Sequence, residues 1–152
     1  MKYLATVIIG LALLFGGAAT AADRGSPDEA KALAMKAASL IEKNGDKAID
    51  AFNAEKTSFV DRDLYVTVMD RQGVVRASSG PSAALIGKNT LDAEDPDGKK
   101  FVQEFIKVGD SGKEGWVSYK YIDPLTKKIA QKKAFVYGVG AYIVMCGSYV
   151  AS

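Results

Sequence analysis

Lysine, tyrosine and tryptophan crowd two nearby stretches of this chain, Trp116-Val117-Ser118-Tyr119-Lys120-Tyr121 and Lys132-Lys133-Ala134-Phe135-Val136-Tyr137. Those side chains suit the capture of a small anion: an amine supplies a point charge, phenols supply oriented donors, and rings supply apolar walls that exclude water. Both stretches have strand character, and side chains alternate along a strand. Val117, Tyr119 and Tyr121 therefore share one face, with Trp116, Ser118 and Lys120 on the other. On the second stretch Lys133, Phe135 and Tyr137 share a face. Arg76, on an earlier strand, is a further cationic candidate. The competing reading is that the rings are ordinary sheet core and the lysines extend to solvent.

Catalytic chemistry has much less support. The chain has no histidine, which removes the commonest general base, the Ser-His-Asp and Cys-His arrangements, and zinc sites built from Cys and His. Asp92, Glu94, Asp95 and Asp97 crowd one turn and read as solvated loop charges rather than as a hydrolytic pair. Asp95, Asp97, Gly98 and Glu104 match the spacing of a calcium loop, but its first position is Ala93, which has no side-chain oxygen. Gly138-Val139-Gly140 joins strands and lacks the further glycine of a phosphate-cradling loop. The expectation is a protein with no resident cofactor, no metal and no enzymatic activity.

The elements that must position the lysines and rings are legible. Ser26-Pro27-Asp28-Glu29 is a helix start with a capping box, and Ala30, Leu33, Ala37, Leu40 and Ile41 recur at helical spacing. Asn44-Gly45 ends that helix, predicted over 27–43, and a shorter one runs from Asp46 to about residue 55. Leu64 to Met69 and Val74 to Ser78 form a hairpin about Asp70-Arg71-Gln72-Gly73. A loop containing a short helix spans 79–89. Pro96 stiffens the acidic turn, and Asp97 is the expected cap of a helix carrying Phe101, Val102, Phe105 and Ile106. Strands near 115–122, 129–138 and 141–150 complete an α+β domain with an antiparallel sheet.

Met1-Lys2, the uncharged apolar run Tyr3 to Phe15 and the small residues Ala18-Ala19-Thr20-Ala21-Ala22 have the layout of a secretory signal peptide over residues 1–22, cleaved after Ala21 or Ala22. A retained anchor is the alternative. The run is shorter than the roughly 20 apolar residues a spanning helix needs. The product, residues 23–152, is a single domain in the periplasm or secreted. It holds 130 residues, with 19 basic against 18 acidic side chains once Lys2 is removed. That balance argues against nucleic acid as a partner. Cys146, the one cysteine, cannot form an internal disulfide, and its apolar neighbours Ile143-Val144-Met145 suggest a buried thiol.

Asp95-Pro96-Asp97-Gly98-Lys99, followed one helix later by Gly115-Trp116-Val117-Ser118-Tyr119-Lys120-Tyr121-Ile122-Asp123-Pro124, resembles the extracytoplasmic Cache domains, in particular the single-Cache type 2 form. Asn44-Gly45, Asp63-Leu64-Tyr65-Val66, Gly87-Lys88-Asn89 and Gly147-Ser148-Tyr149 fall in matching order, so the resemblance covers most of residues 23–152. It implies a PAS-like antiparallel sheet of five or six strands, with a long N-terminal helix along one face and shorter flanking helices. It also implies a pocket for a small organic ligand, a short carboxylate, met by Lys132 three residues before Phe135. Strict alternation puts Lys132 and Phe135 on opposite faces, so either a bulge intervenes or Lys133 is the contact.

Departures from the pattern point to a less polar pocket. Ala77-Ser78-Ser79 stands where these domains often carry Ala-His-Pro, Tyr121 stands where tryptophan is common, and Phe135 where tyrosine is usual. Cache domains usually front chemoreceptors and sensor kinases. This chain ends soon after its last motif, so the resemblance implies an exported ligand-binding protein that works through a membrane receptor or transporter. The second expectation is an interaction protein that kept the fold and lost the pocket.

Overall fold

Ser26 begins the first helix as its residues dictate: the Glu29 N–H donates to Ser26 Oγ at 3.2 Å and the Ser26 N–H donates to Glu29 Oε2 at 2.7 Å, a reciprocal cap. A computed structural model describes residues 24–150 of the chain. The expected signal peptide, residues 1–22, lies outside them. Helix α1 (Pro27–Asn44) turns at Gly45 into α2 (Asp46–Ala54). A 3₁₀ turn (Lys56–Phe59) leads into β1 (Val60–Asp61), β2 (Leu64–Asp70) and β3 (Val75–Ser78). A second 3₁₀ turn (Pro81–Leu85) and a long loop precede α3 (Phe101–Asp110), and β4 (Gly115–Ile122), β5 (Ile129–Val139) and β6 (Tyr142–Tyr149) close the chain.

All strand pairs are antiparallel. The order β1-β2-β6-β5-β4, with β3 also on β2, makes a six-stranded sheet. Chain order is thus broken once, where β6 inserts between β2 and β5. This is the antiparallel, PAS-like α+β architecture expected, with the long helix at 27–44. Among the described residues no helix is long and apolar enough to cross a membrane.

Each face of the sheet carries its own core. Ala30, Ala34, Ala37, Ala38 and Ile41 of α1 lie against Val66, Val68, Phe135, Val144 and Cys146. Small side chains on that stripe let the helix approach the strands closely. On the opposite face α3 places Phe101, Val102 and Phe105 against Val117, Tyr119, Ala134, Val136, Ile143 and Met145. That helix nearly touches β5: a Cβ added to Gly138 would come 2.2 Å from the Gly109 carbonyl oxygen.

One expected cap is corrected. Asp97 does not cap α3, which begins four residues later at Phe101 with Lys100 preceding it. Asp95 organises the turn instead: its Oδ1 accepts the Asp97 and Lys99 N–H groups, and its Oδ2 accepts the Lys120 N–H of edge strand β4 at 3.0 Å. These hydrogen bonds favour the charged carboxylate and hold its pKa below the usual range, the Lys120 N–H first among them. Asp97 pairs with Lys120 Nζ at 2.8 Å on the surface.

A buried clamp joins the start of α1 to one end of the sheet. Arg24 donates to Asp63 at 3.3 Å and to Asp123 at 2.7 Å, and the Gly25 N–H donates to Asp63 Oδ1 at 2.6 Å. Burial opposes the charge on Asp123, but Arg24, the Leu125 N–H and the Thr126 hydroxyl outweigh it and hold that carboxyl below its ordinary pKa.

Candidate functional site

Strand parity decides which side chains meet. Tyr119 of β4 is directly opposite Lys132 of β5, and Lys132 is in turn opposite Tyr149 of β6. The pairings run without a register shift from Lys132 through Val136 on both sides of β5. No bulge therefore brings Lys132 and Phe135 to one face. Lys132 lies on the α3 face, and Phe135 lies under α1.

Beneath Lys132 is a cavity of about 150 Å³. Its floor is the sheet: Tyr65, Thr67 and Met69 of β2, Tyr119 and Tyr121 of β4, Lys132 and Ala134 of β5, and Met145 of β6. Its far wall is Phe101, Val102 and Phe105 of α3, while Ser82, Leu85, Thr90 and Glu94 of the intervening loop complete the enclosure. Phe101 stacks on Tyr119 at 4.5 Å, and Phe105 meets the same ring edge-on at 5.3 Å. The apolar end is rigid because three rings brace one another.

Its polar end is built around one amine. Lys132 is 2 % exposed, and its Nζ lies 3.8 Å from the ring centre of Tyr65, 4.9 Å from Tyr149 and 5.7 Å from Tyr121. No described residue accepts a hydrogen bond from it or forms an ion pair with it; the aromatic faces are its only partners. Burial disfavours the charged form and draws its pKa down from 10.5 to about 7. Two hydroxyl pairs belong to the same region: Tyr65 and Tyr149 share a hydrogen bond of 3.3 Å, and Ser82 and Tyr121 one of 3.4 Å. Burial raises the Tyr65, Tyr119 and Tyr149 phenols, so they stay protonated; the Tyr149 hydroxyl donates to the Ile122 carbonyl oxygen at 2.6 Å and accepts from Tyr65. An anion entering here would meet the Lys132 amine, the Tyr121 and Ser82 hydroxyls, and no fixed negative charge beside the amine.

Of the residues picked out in the sequence, Tyr119, Tyr121 and Lys132 are brought together at the cavity. The other four lie elsewhere, for reasons of parity. Trp116 and Phe135 pack edge-on at 5.4 Å on the α1 side, and Lys133 lies over the Trp116 ring at 5.1 Å on that same side. Arg76 is half exposed and faces Asp70 at 3.6 Å. Sequence reading overlooked Tyr65, Ser82 and the α3 rings as a lining. Tyr65 had a signal, since it sits in the Asp63-Leu64-Tyr65-Val66 motif and alternates with Thr67 and Met69. Ser82 had none, because only the path of the loop carries it to Tyr121.

Comparisons with known proteins agree with this architecture. The family model for the single Cache domain 2 matches residues 18–152. No curated protein matches the chain. Among solved structures, a methyl-accepting chemotaxis protein from Vibrio parahaemolyticus RIMD 2210633 is 20 % identical with a TM-score of 0.66, over 80 % of this chain and 86 % of that one. A periplasmic sensor domain of a chemotaxis protein is 24 % identical with a TM-score of 0.64, over 81 % and 89 %. A Cache chemosensory domain described for carboxylic acid recognition is 19 % identical with a TM-score of 0.66, over 81 % and 92 %. At such identities the likeness is one of fold.

Proposed function

The chain belongs to the single Cache domain 2 family, and from that premise we propose that it is an exported sensory domain that binds a small organic carboxylate between α3 and the sheet. The observation that carries this reading is the Lys132 amine, buried over a cavity with no acidic partner. A buried ammonium is costly unless paired. A ligand carboxylate supplies the missing charge, Tyr121 and Ser82 supply hydrogen bonds, and Phe101, Phe105, Tyr119 and Met145 receive an apolar tail. The cavity is about the size of an engineered one that holds benzene, which sets the ligand at about six heavy atoms.

Export to the periplasm or the medium is proposed from the leader-like residues 1–22 and is consistent with the periplasmic sensor domain among the structural neighbours. Action through a membrane receptor or transporter is proposed from the chemotaxis proteins that share the fold. The rival reading, an interaction protein that has lost its pocket, is disfavoured by the unfilled volume beneath Lys132. The test is thermal-shift screening of the purified protein against short carboxylic acids, amino acids and amines. Stabilisation by acids that disappears in Lys132→Met and survives in Lys133→Met supports the proposal. No stabilisation by any acid, or equal stabilisation of Lys132→Met, would overturn it.

A further inference from the structure

Among the described residues the cavity lining contains one cationic side chain, Lys132, and one acidic side chain, Glu94. Glu94 is half exposed and lies 4.0 Å from Lys100 Nζ. Among the described residues the other titratable groups packed against Lys132 are phenols, Tyr65 on β2, Tyr119 and Tyr121 on β4 and Tyr149 on β6, while the Cys146 thiol of β6 lies on the α1 face. α3 contributes only apolar side chains to the lining, and the Pro81–Leu85 turn contributes Ser82 and Leu85. Asp63 and Asp123 are engaged by Arg24; through space they favour the charged amine, but less than burial opposes it.

We propose that the site takes a monocarboxylate together with one proton, so that the protein responds to a weak monobasic acid rather than to anions in general. This rests on the binding role given above and specifies its ligand class. The balance is simple. Above about pH 7 the empty cavity holds a neutral amine, the ligand arrives as a carboxylate, and a proton from solvent converts the amine to an ammonium that pairs with it. No covalent bond forms. The geometry demands the proton because no anion shares the cage to keep the amine charged while it is empty: the Tyr65, Tyr119 and Tyr149 phenols are raised by burial, and burial holds the Cys146 thiol near 12. The low Lys132 value agrees. A second carboxylate on the ligand would find no cation and would be stranded among Phe101, Phe105 and Met145.

Isothermal titration calorimetry of the purified full chain tests this, with acetate, propanoate, butanoate and succinate as probes, in phosphate and in Tris buffer at one pH. The two buffers have different ionisation enthalpies, so the difference in observed heat counts protons taken up. Close to one proton is expected at about pH 8.5 and close to none at about pH 5.5, with Kd rising about tenfold per pH unit above about 7. Succinate is expected to bind at least tenfold more weakly than butanoate. A monocarboxylate that binds at about pH 8.5 with no proton uptake overturns the inference and leaves the carboxylate reading intact, as does succinate binding as tightly as butanoate. Proton uptake that persists in Lys132→Arg, whose guanidinium stays charged, also overturns it. Failure of all three monocarboxylates to bind at either pH overturns both.

Discussion

Gly147 of β6 lies directly beneath the Lys132 side chain: a Cβ placed there would come 2.6 Å from Lys132 Cε and 3.0 Å from both Ala134 Cα and the Lys133 carbonyl oxygen. The amine reaches the ring cage because the neighbouring strand has no side chain at that point. Gly147→Ala must therefore displace either a flexible side chain or the β5 backbone. We expect a loss of about 1–3 kcal/mol in urea denaturation and weaker ligand binding, since the lysine is the part that can move. An unchanged midpoint with unchanged affinity would show that Lys132 does not need the space.

Lys132 should make the empty protein less stable below neutral pH. Its folded pKa, about 7, lies below its unfolded value near 10.5. Between those limits the unfolded chain binds more protons, so stability rises as pH increases through that window, and the full penalty is present below it. Lys132→Met removes the buried amine at similar volume. The variant is expected to melt higher than the parent at pH 6 by an amount worth a few kcal/mol, with the gain shrinking toward pH 10. Melting curves across that range check the sign; a variant less stable than the parent at pH 6 contradicts it.

Tyr121→Phe and Ser82→Ala each remove one hydroxyl from the polar end of the cavity without opening a large void. A single hydrogen bond contributes about 0.5–1.5 kcal/mol. Affinity for the best short acid should fall about 3–10-fold in each variant, with little change in melting temperature. Equal affinity in both variants would place the ligand away from this pair.

The Arg24 clamp should matter far more than the surface arginine beside it. Arg24→Met leaves the buried carboxylates of Asp63 and Asp123 without their cation, for which about 3–5 kcal/mol is the usual cost. Arg62 pairs with Glu29 and Asp61 at 2.6 and 2.8 Å, but these groups are a third to a half exposed. Arg62→Met should cost far less, because exposed ion pairs are screened by solvent. Chemical denaturation of the two variants side by side distinguishes them, and similar losses would refute the assignment.

Local interactions were legible from the residues alone. The capping box of α1, the alanine stripe, the Asp70 to Gly73 hairpin turn and the alternation that sets Tyr119 and Tyr121 apart from Trp116 all depend on neighbours in sequence, so spacing determines them. Alternation also separated Lys132 from Phe135. It could not say which face is hollow. That was decided by β6 inserting between β2 and β5, which sets Tyr65 and Tyr149 around the Lys132 amine, and by the first half of α3 and the Pro81–Leu85 turn, which enclose a hollow over one face while α1 packs tightly on the other. Asp97 misled for the same reason: Asp95 is committed by a hydrogen bond to Lys120, twenty-five residues away. Periodicity sorts side chains into two sets, and only contacts between distant segments reveal which set encloses empty space.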